Sequence, residues 1–398
     1  MRAVEVAVVL GLTTTVSYGT LYYAFGVVSH DMAADTGLSL TSVYAIFSFG
    51  LFASGFLATR AGRLLDRRDP AAVMATGSAL AAALLVLWSL VEGRWAYAML
   101  LVALQAVSML VLYEAAFVTA ARYAPATARR TITGITLIAG FASTIFWPLT
   151  DWLRSFWTWR DIYLLYAALH GAFCLPLHLW LSRRHTNGRR GAPRVERTEA
   201  PAVAPRLTDT RTRRLALILL AIGFASKAFA ISALHLHLIG LLDAIGLAAS
   251  AAAIGALIGP SQVAGRIVEF VMSDRLSIFA VTLFSTAAMP AALLLLVWAA
   301  PWTVAAIVFA IMFGLGQGLS YIARGVFPLE LFGSHGFGAL TGRINAIRLY
   351  VSAAAPFVTA AVLERAGAVA TIYVIVFAGL VALVALGAIG PLLTKSSN

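Results

Sequence analysis

Polar positions are sparse along this chain, and they fall in clusters that separate long apolar runs. Twelve runs recur, at 4–29, 40–60, 70–91, 95–121, 131–153, 160–182, 215–241, 248–272, 277–298, 303–327, 338–363 and 369–391. Each is long enough to cross a hydrocarbon core of ~30 Å. The runs are continuous and do not alternate, so they predict helices and exclude barrel strands. The pattern predicts an all-α membrane protein of twelve transmembrane helices, numbered here as spans 1 to 12. The first run has no short apolar core followed by a small-residue cleavage site, so it is read as a span and not a signal peptide.

One polar segment is much longer than the rest. Residues 183–214 are rich in Arg, Pro and Thr and carry no apolar period. They are expected to form a flexible linker between a six-helix bundle at 1–182 and a second at 215–398. An internal repeat supports the division. A shift of 208 residues carries Asp66-Arg67 onto Asp274-Arg275, Gly134 onto Gly342 and Pro148 onto Pro356. Coincidences at one offset and at corresponding topological places imply pseudo-twofold symmetry about an axis along the membrane normal.

Composition agrees: 61% of the 398 residues are hydrophobic and 12% charged. The net charge of +12 raises the question of nucleic acid, and placement answers it. Of 29 basic residues, 22 lie at one set of helix ends and loops, four in the loops of the other side and three within spans. This is the positive-inside bias. It predicts a multi-pass inner-membrane protein with both termini cytoplasmic, touching anionic lipid and no nucleic acid. Cys174 is the sole cysteine, which excludes an internal disulfide and a cysteine-based metal site. It is expected to pack as a small apolar residue in span 6.

The loop ATRAGRLLDRRDP, Ala58 to Pro70, resembles the Gly-x-x-x-Asp-Arg loop between spans 2 and 3 of the major facilitator superfamily, with Gly62, Asp66 and Arg67 in the matching places. Asp69 stands where that family usually has glycine. Ser273-Asp274-Arg275 matches the weaker second copy. With the 6+6 division and the linker, the resemblance covers the whole chain. It implies an alternating-access secondary transporter, monomeric, with spans 1, 4, 7 and 10 around a central cavity. Asp66 can accept hydrogen bonds from a neighbouring helix N-terminus or an arginine. Such a latch would set the balance between inward- and outward-open states, and Gly62, Asp66, Arg67, Asp274 and Arg275 are its candidates.

An ionisable group at bilayer depth costs ~2.5 kcal/mol or more, so each needs a partner or a task. Glu114 lies ~12 Å from the end of span 4 and is a candidate proton carrier or one half of a structural ion pair. Lys227, one of only two lysines, lies near the middle of span 7. It is expected to hold an anionic substrate or to pair with Glu114 or Asp31. Arg266 and Glu269 share a face of span 8 and are expected to pair. Arg266 also looks like the span-8 arginine that binds carboxylate in monocarboxylate and oxalate/formate branches. Arg348 lies about 7 Å deeper than Arg343 in span 11 and is a candidate for substrate or Glu pairing, with Asn345 between them. Tyr18 and Tyr22 share a face of span 1 and can line a cavity with hydroxyls, whereas Tyr23 is assigned to packing. Gln105 and Gln317 can bond a polar solute. His235 and His237 face different ways, so a shared metal is not expected. Arg122 is read as a helix-end anchor.

The stretches LYYAFGVV, LYEAAF, GFASTIFWPLTDWL and YLLYAALH resemble a bacterial branch that includes arsenite-efflux members. That resemblance implies proton-coupled efflux of a small toxic solute. An uncharged trihydroxide could be handled by hydroxyls and amides without the thiols a soft trivalent ion would favour. Proton-linked transport of a small organic anion such as a monocarboxylate, on Lys227, Arg266 and Arg348, is the alternative. No nucleophile–base spacing, phosphate-binding loop or cofactor fingerprint occurs, so neither an enzyme nor a cofactor is expected.

Overall fold

A computed structural model describes residues 2–191, 203–247 and 250–395, and all regular structure among them is helical. Among the described residues, ten segments are long and apolar enough to cross a membrane: Ala3–Thr36, Leu40–Arg67, Pro70–Ser89, Arg94–Tyr123, Pro125–Arg154, Trp159–Asn187, Thr210–His235, Ile278–Ala299, Thr303–Phe332 and Phe337–Leu393. The last is two helices divided at Gly367, whose φ of 80° only glycine adopts without strain. With helix Ala251–Met272 these make up the twelve spans of an all-α membrane protein.

Loop residues that looked merely polar cap the helices. Ser39 accepts from Ser42 N at 3.1 Å at the start of span 2. Asp69 accepts from Ala72 N at 3.3 Å, with Pro70 in the first turn of span 3. Thr158 and Asp161 form a reciprocal capping box on span 6.

The segment expected as linker is shorter than its composition suggested. Helix Leu175–Gly191 carries span 6 nine residues past Ser182, because the chain meets no proline until Pro193. At the other end span 7 begins at Thr210, where Asp209 accepts from Thr212 N at 2.7 Å. That amide holds the Asp209 carboxyl below its usual range. Residues 192–202, the middle of the linker, lie outside the described residues.

The chain groups into two compact units. The first comprises 1–204 together with 333–346, and the second 205–332 with 347–398. The opening turns of span 11 therefore belong with the first unit. That unit has an aromatic core in which Trp88 meets Tyr97, Trp159 and Tyr163 with centroids 4.7–5.5 Å apart. Cys174 is buried beside this unit's span 1, as a small apolar residue should be. The second unit is built on Leu234, Leu241, Ile254, Leu293, Phe309 and Phe313, all buried.

Four interruptions matter for function. Spans 1 and 6 contain π-helical turns at Gly19–Tyr23 and Leu169–Cys174. Span 4 breaks after Arg94–Ser108 and resumes as Tyr113–Tyr123. Span 5 breaks between Ala128–Ala139 and Ala142–Arg154.

Candidate functional site

Glu114 does not sit in the middle of a helix. The break at 109–112 puts it in the first turn of Tyr113–Tyr123, where backbone N–H groups have no partner in the preceding turn and the helix dipole favours a negative charge. The helix restart thus favours a carboxylate at this depth. Glu114 is half-buried and lines a small cavity with Gly62, Met109, Thr341, Gly342 and Asn345, all within the first unit.

The span 2–3 loop meets the same place. Asp66 accepts from the backbone N–H groups of Gly338 and Ala339, both at 2.7 Å, in the first turn of the helix that starts at Phe337. One carboxylate thus satisfies two of the free donors at a helix N-terminus. Gly62 permits the approach, since a Cβ there would overlap the carbonyl oxygen of Gly338, and one at Gly342 would overlap that of Ala58. Arg67 is exposed, and among the described residues no hydrogen bond joins its side chain to this contact. The loop is held instead by Arg122, which donates to the carbonyls of Asp66 and Arg68 and is more than an anchor. Asp69, in the position usually held by glycine, accepts from Tyr123 and Ser182 and so ties the loop to spans 4 and 6. The second copy of the motif differs. Asp274 and Arg275 are exposed, and among the described residues no hydrogen bond like those of Asp66 reaches them. The helix it follows ends in a simple turn, with Arg275 N on Met272 O at 2.9 Å.

The tyrosines of span 1 gather more tightly than a 3.6-residue period allows. Ring centroids of Tyr18 lie 6.4 Å from Tyr22, 6.2 Å from Tyr23 and 4.7 Å from Tyr113. The π turn widens the helix, so positions five apart share a face with those four apart. Tyr23 therefore joins the cluster from which the regular period had separated it, while also meeting Trp147 at 5.6 Å. Tyr22 stays exposed. Gln105 is buried, its chain packed over Gly50 of span 2.

In the second unit the side chain of Lys227 is buried, and Nζ donates to Ser285 Oγ at 2.9 Å and Thr286 Oγ1 at 3.1 Å. It reaches span 9. Asp31, one expected partner, is held in the first unit by two hydrogen bonds from Arg154, at 2.7 and 2.9 Å. Arg266 is buried over the ring of Tyr321 at 5.0 Å, with Nε 3.4 Å from the carbonyl of Gly318. Arg348 is half-buried and Arg343 exposed. Gln317 accepts from Gln262 at 2.8 Å, and its amide lies 3.1–3.2 Å from His235 Nε2. This His235–Gln317–Gln262 group joins spans 7, 10 and 8. Nothing in the sequence ties His235 to this amide on another helix.

A second buried polar group lies in the first unit. Between spans 1, 3 and 6, His178 bridges Ser78 and Thr13, each at 3.0 Å, and His170 meets Thr20 at 2.8 Å. All are fully buried. His170 and His178 lie eight residues apart in span 6, two helical turns, which is the one signal in the sequence that they share a face. No group of three or more His, Cys, Asp or Glu among the described residues could hold a metal.

Solved structures with this fold span nearly the whole chain. They include the human organic anion transporter MFSD10 (TETRAN), at 16% identity and TM-score 0.67 over 97% of this chain and 100% of that one. The proton:xylose symporter XylE, bound to 6-bromo-6-deoxy-D-glucose, matches at 10% identity and TM-score 0.68 over 96% and 94%. FucP in the outward conformation matches at 14% identity and TM-score 0.67 over 98% of each chain. No curated protein matches the chain. The family profile described as Major Facilitator Superfamily matches residues 10–356. That match takes in most of the chain, and with the twelve helices and the Asp66 loop it shows that the protein belongs to the major facilitator superfamily of secondary transporters.

Proposed function

We propose that the protein is a proton-coupled exporter of a small, uncharged, polar solute, with Glu114 as the group that carries the proton. The observation that supports this reading most is the shared cavity. Glu114 lines it together with Gly62 and Asn345, one turn of span 2 from the Asp66 carboxylate that holds the start of span 11. A change in the charge of Glu114 is thereby coupled to the packing of spans 2 and 11 at the latch.

The solute would be bound in the first unit by hydroxyls, those of Tyr18 and Tyr22. Arsenous acid, an uncharged trihydroxide, is the compound to which the resemblance of spans 1, 4, 5 and 6 points. Gln105, buried against span 2, would act through packing. Arg266 and Arg348 carry the second reading, transport of a small carboxylate, which the half-buried position of Arg348 favours.

Reconstituted protein in liposomes with an imposed pH gradient separates these. Arsenite should accumulate against its gradient in the wild type, and Glu114→Gln should fall to the level of empty liposomes in net transport while retaining arsenite-for-arsenite exchange. Gradient-driven accumulation by Glu114→Gln would remove Glu114 from the proton step. Lactate moving in place of arsenite would select the carboxylate reading.

A further inference from the structure

A groove in the first unit lies away from the latch. It runs along one face of span 6, lined by Leu175, Leu179, Trp180, Arg183, Arg184 and Asn187. The opposite face of the same helix is committed to the bundle: His178 bonds Ser78 and Thr13, Ser182 bonds Asp69, and His185 stacks on Tyr123 with centroids 3.8 Å apart. The groove face thus looks outward, and its chemistry is graded. Leu175 begins it, Leu179 and the indole of Trp180 share the next turn, and guanidinium groups and an amide form the end. An aromatic side chain between an apolar stem and cations marks the level of a membrane interface.

The polar end is partly built in advance. Arg184 lies over the ring of Trp180 at 5.0 Å and bonds Glu5 at 3.2 Å. Glu5 is the only carboxylate bonded to the lining among the described residues. It accounts for one of the two arginines, so the groove keeps a net positive charge, and Arg183 is exposed beside it.

We propose that this groove is a binding site for one anionic phospholipid, with an acyl chain along Leu175 and Leu179, the interfacial region against Trp180, and the headgroup phosphate on Arg183, aided by Arg184 and Asn187. Charge complementarity selects an anionic lipid over a zwitterionic one. The graded face selects a lipid over a free phosphate, which would find no use for the apolar half. The charge bias assigns this end of span 6 to the cytoplasm, where anionic headgroups attract basic residues.

The test uses the full-length protein in a neutral detergent, titrated with dioleoylphosphatidylglycerol or dioleoylphosphatidylcholine, with bound lipid counted by native mass spectrometry. Phosphatidylglycerol should bind as one retained molecule, and phosphatidylcholine more weakly. Arg183→Gln should weaken phosphatidylglycerol by about fivefold, the equivalent of ~1 kcal/mol per basic residue at an anionic surface. It leaves the Arg184–Glu5 pair intact, so folding is not in question. Arg275→Gln, an exposed arginine on the second unit, should change nothing. Equal retention of both lipids, full retention by Arg183→Gln, or displacement of the lipid by millimolar inorganic phosphate would each overturn the site.

Discussion

A deep charge is easy to find in a sequence and its partner is not, because the partner depends on the direction a helix face turns. Lys227 shows this. Its depth in span 7 was legible, and so was its need for a partner. That it turns to span 9 was not, since Ser285 and Thr286 read as two ordinary polar residues in an apolar run. Both hydroxyls donate to the carbonyl of Thr282, at 2.9 and 2.7 Å, which leaves their lone pairs for the lysine. The substitutions should therefore be unequal. Thr286→Val leaves a buried donor short of an acceptor and should cost ~1–3 kcal/mol. Lys227→Met replaces the charge with an apolar side chain of similar length and should be close to neutral, or stabilising. Thermal unfolding of the two purified variants gives the order directly. A larger loss in Lys227→Met would mean that the amine is held by more than these two hydroxyls.

At the scale of the element, spans were legible because bilayer thickness sets their length and hydropathy marks it. Their interruptions were not. The break that gives Glu114 a helix N-terminus falls at Met109–Leu112, four apolar residues with no glycine or proline among them. The π turn that gathers Tyr18, Tyr22 and Tyr23 is equally silent in composition. The latch was half legible. The motif named Gly62 and Asp66, and the carboxylate's chemistry allowed either a helix N-terminus or an arginine as partner. Sequence could not distinguish Arg67 from Arg122, because a side chain 56 residues away in the chain makes the bond to the Asp66 carbonyl. Symmetry also misled: Asp274 repeats the letters of Asp66 without its environment. The consequence can be measured with a single cysteine at Thr341, the native Cys174 being buried. Asp66→Asn should raise the maleimide labelling rate at that cysteine about fivefold, since a charge-assisted cap of this kind contributes ~1 kcal/mol. Gly62→Ala should raise it as well, by steric overlap rather than lost charge. Unchanged labelling in both variants would show that the contact does not control access to the cavity.

For the whole molecule, the distribution of charge carried most of what could be read, and its exceptions turn out to have local reasons. Arg154 and Arg160 lie on the side the positive-inside bias leaves poor in basic residues. Each is matched to an aspartate at the end of span 1: Arg154 to Asp31 at 2.7 Å, and Arg160 to Asp35 at 2.7 Å. Arg160 also donates to the carbonyls of Ser89 and Val91, at 2.9 and 2.7 Å, closing the end of span 3. Their side chains are about one-third exposed, so the ion pairs alone should contribute only ~0.2–1 kcal/mol each. The two arginines should nonetheless differ. Arg154→Gln loses its pairs with Asp31 and the more distant Asp151, whereas Arg160→Gln also strands two helix-end carbonyls, at ~0.5–1.5 kcal/mol per bond before allowance for solvent. Arg160→Gln should therefore unfold at the lower temperature. The double-mutant cycle of Asp35 with Arg160 should recover only the ion-pair part of the loss, because the carbonyl bonds do not depend on Asp35. A cycle that recovers the whole loss would mean that the arginine serves the aspartate alone and that span 3 closes without it.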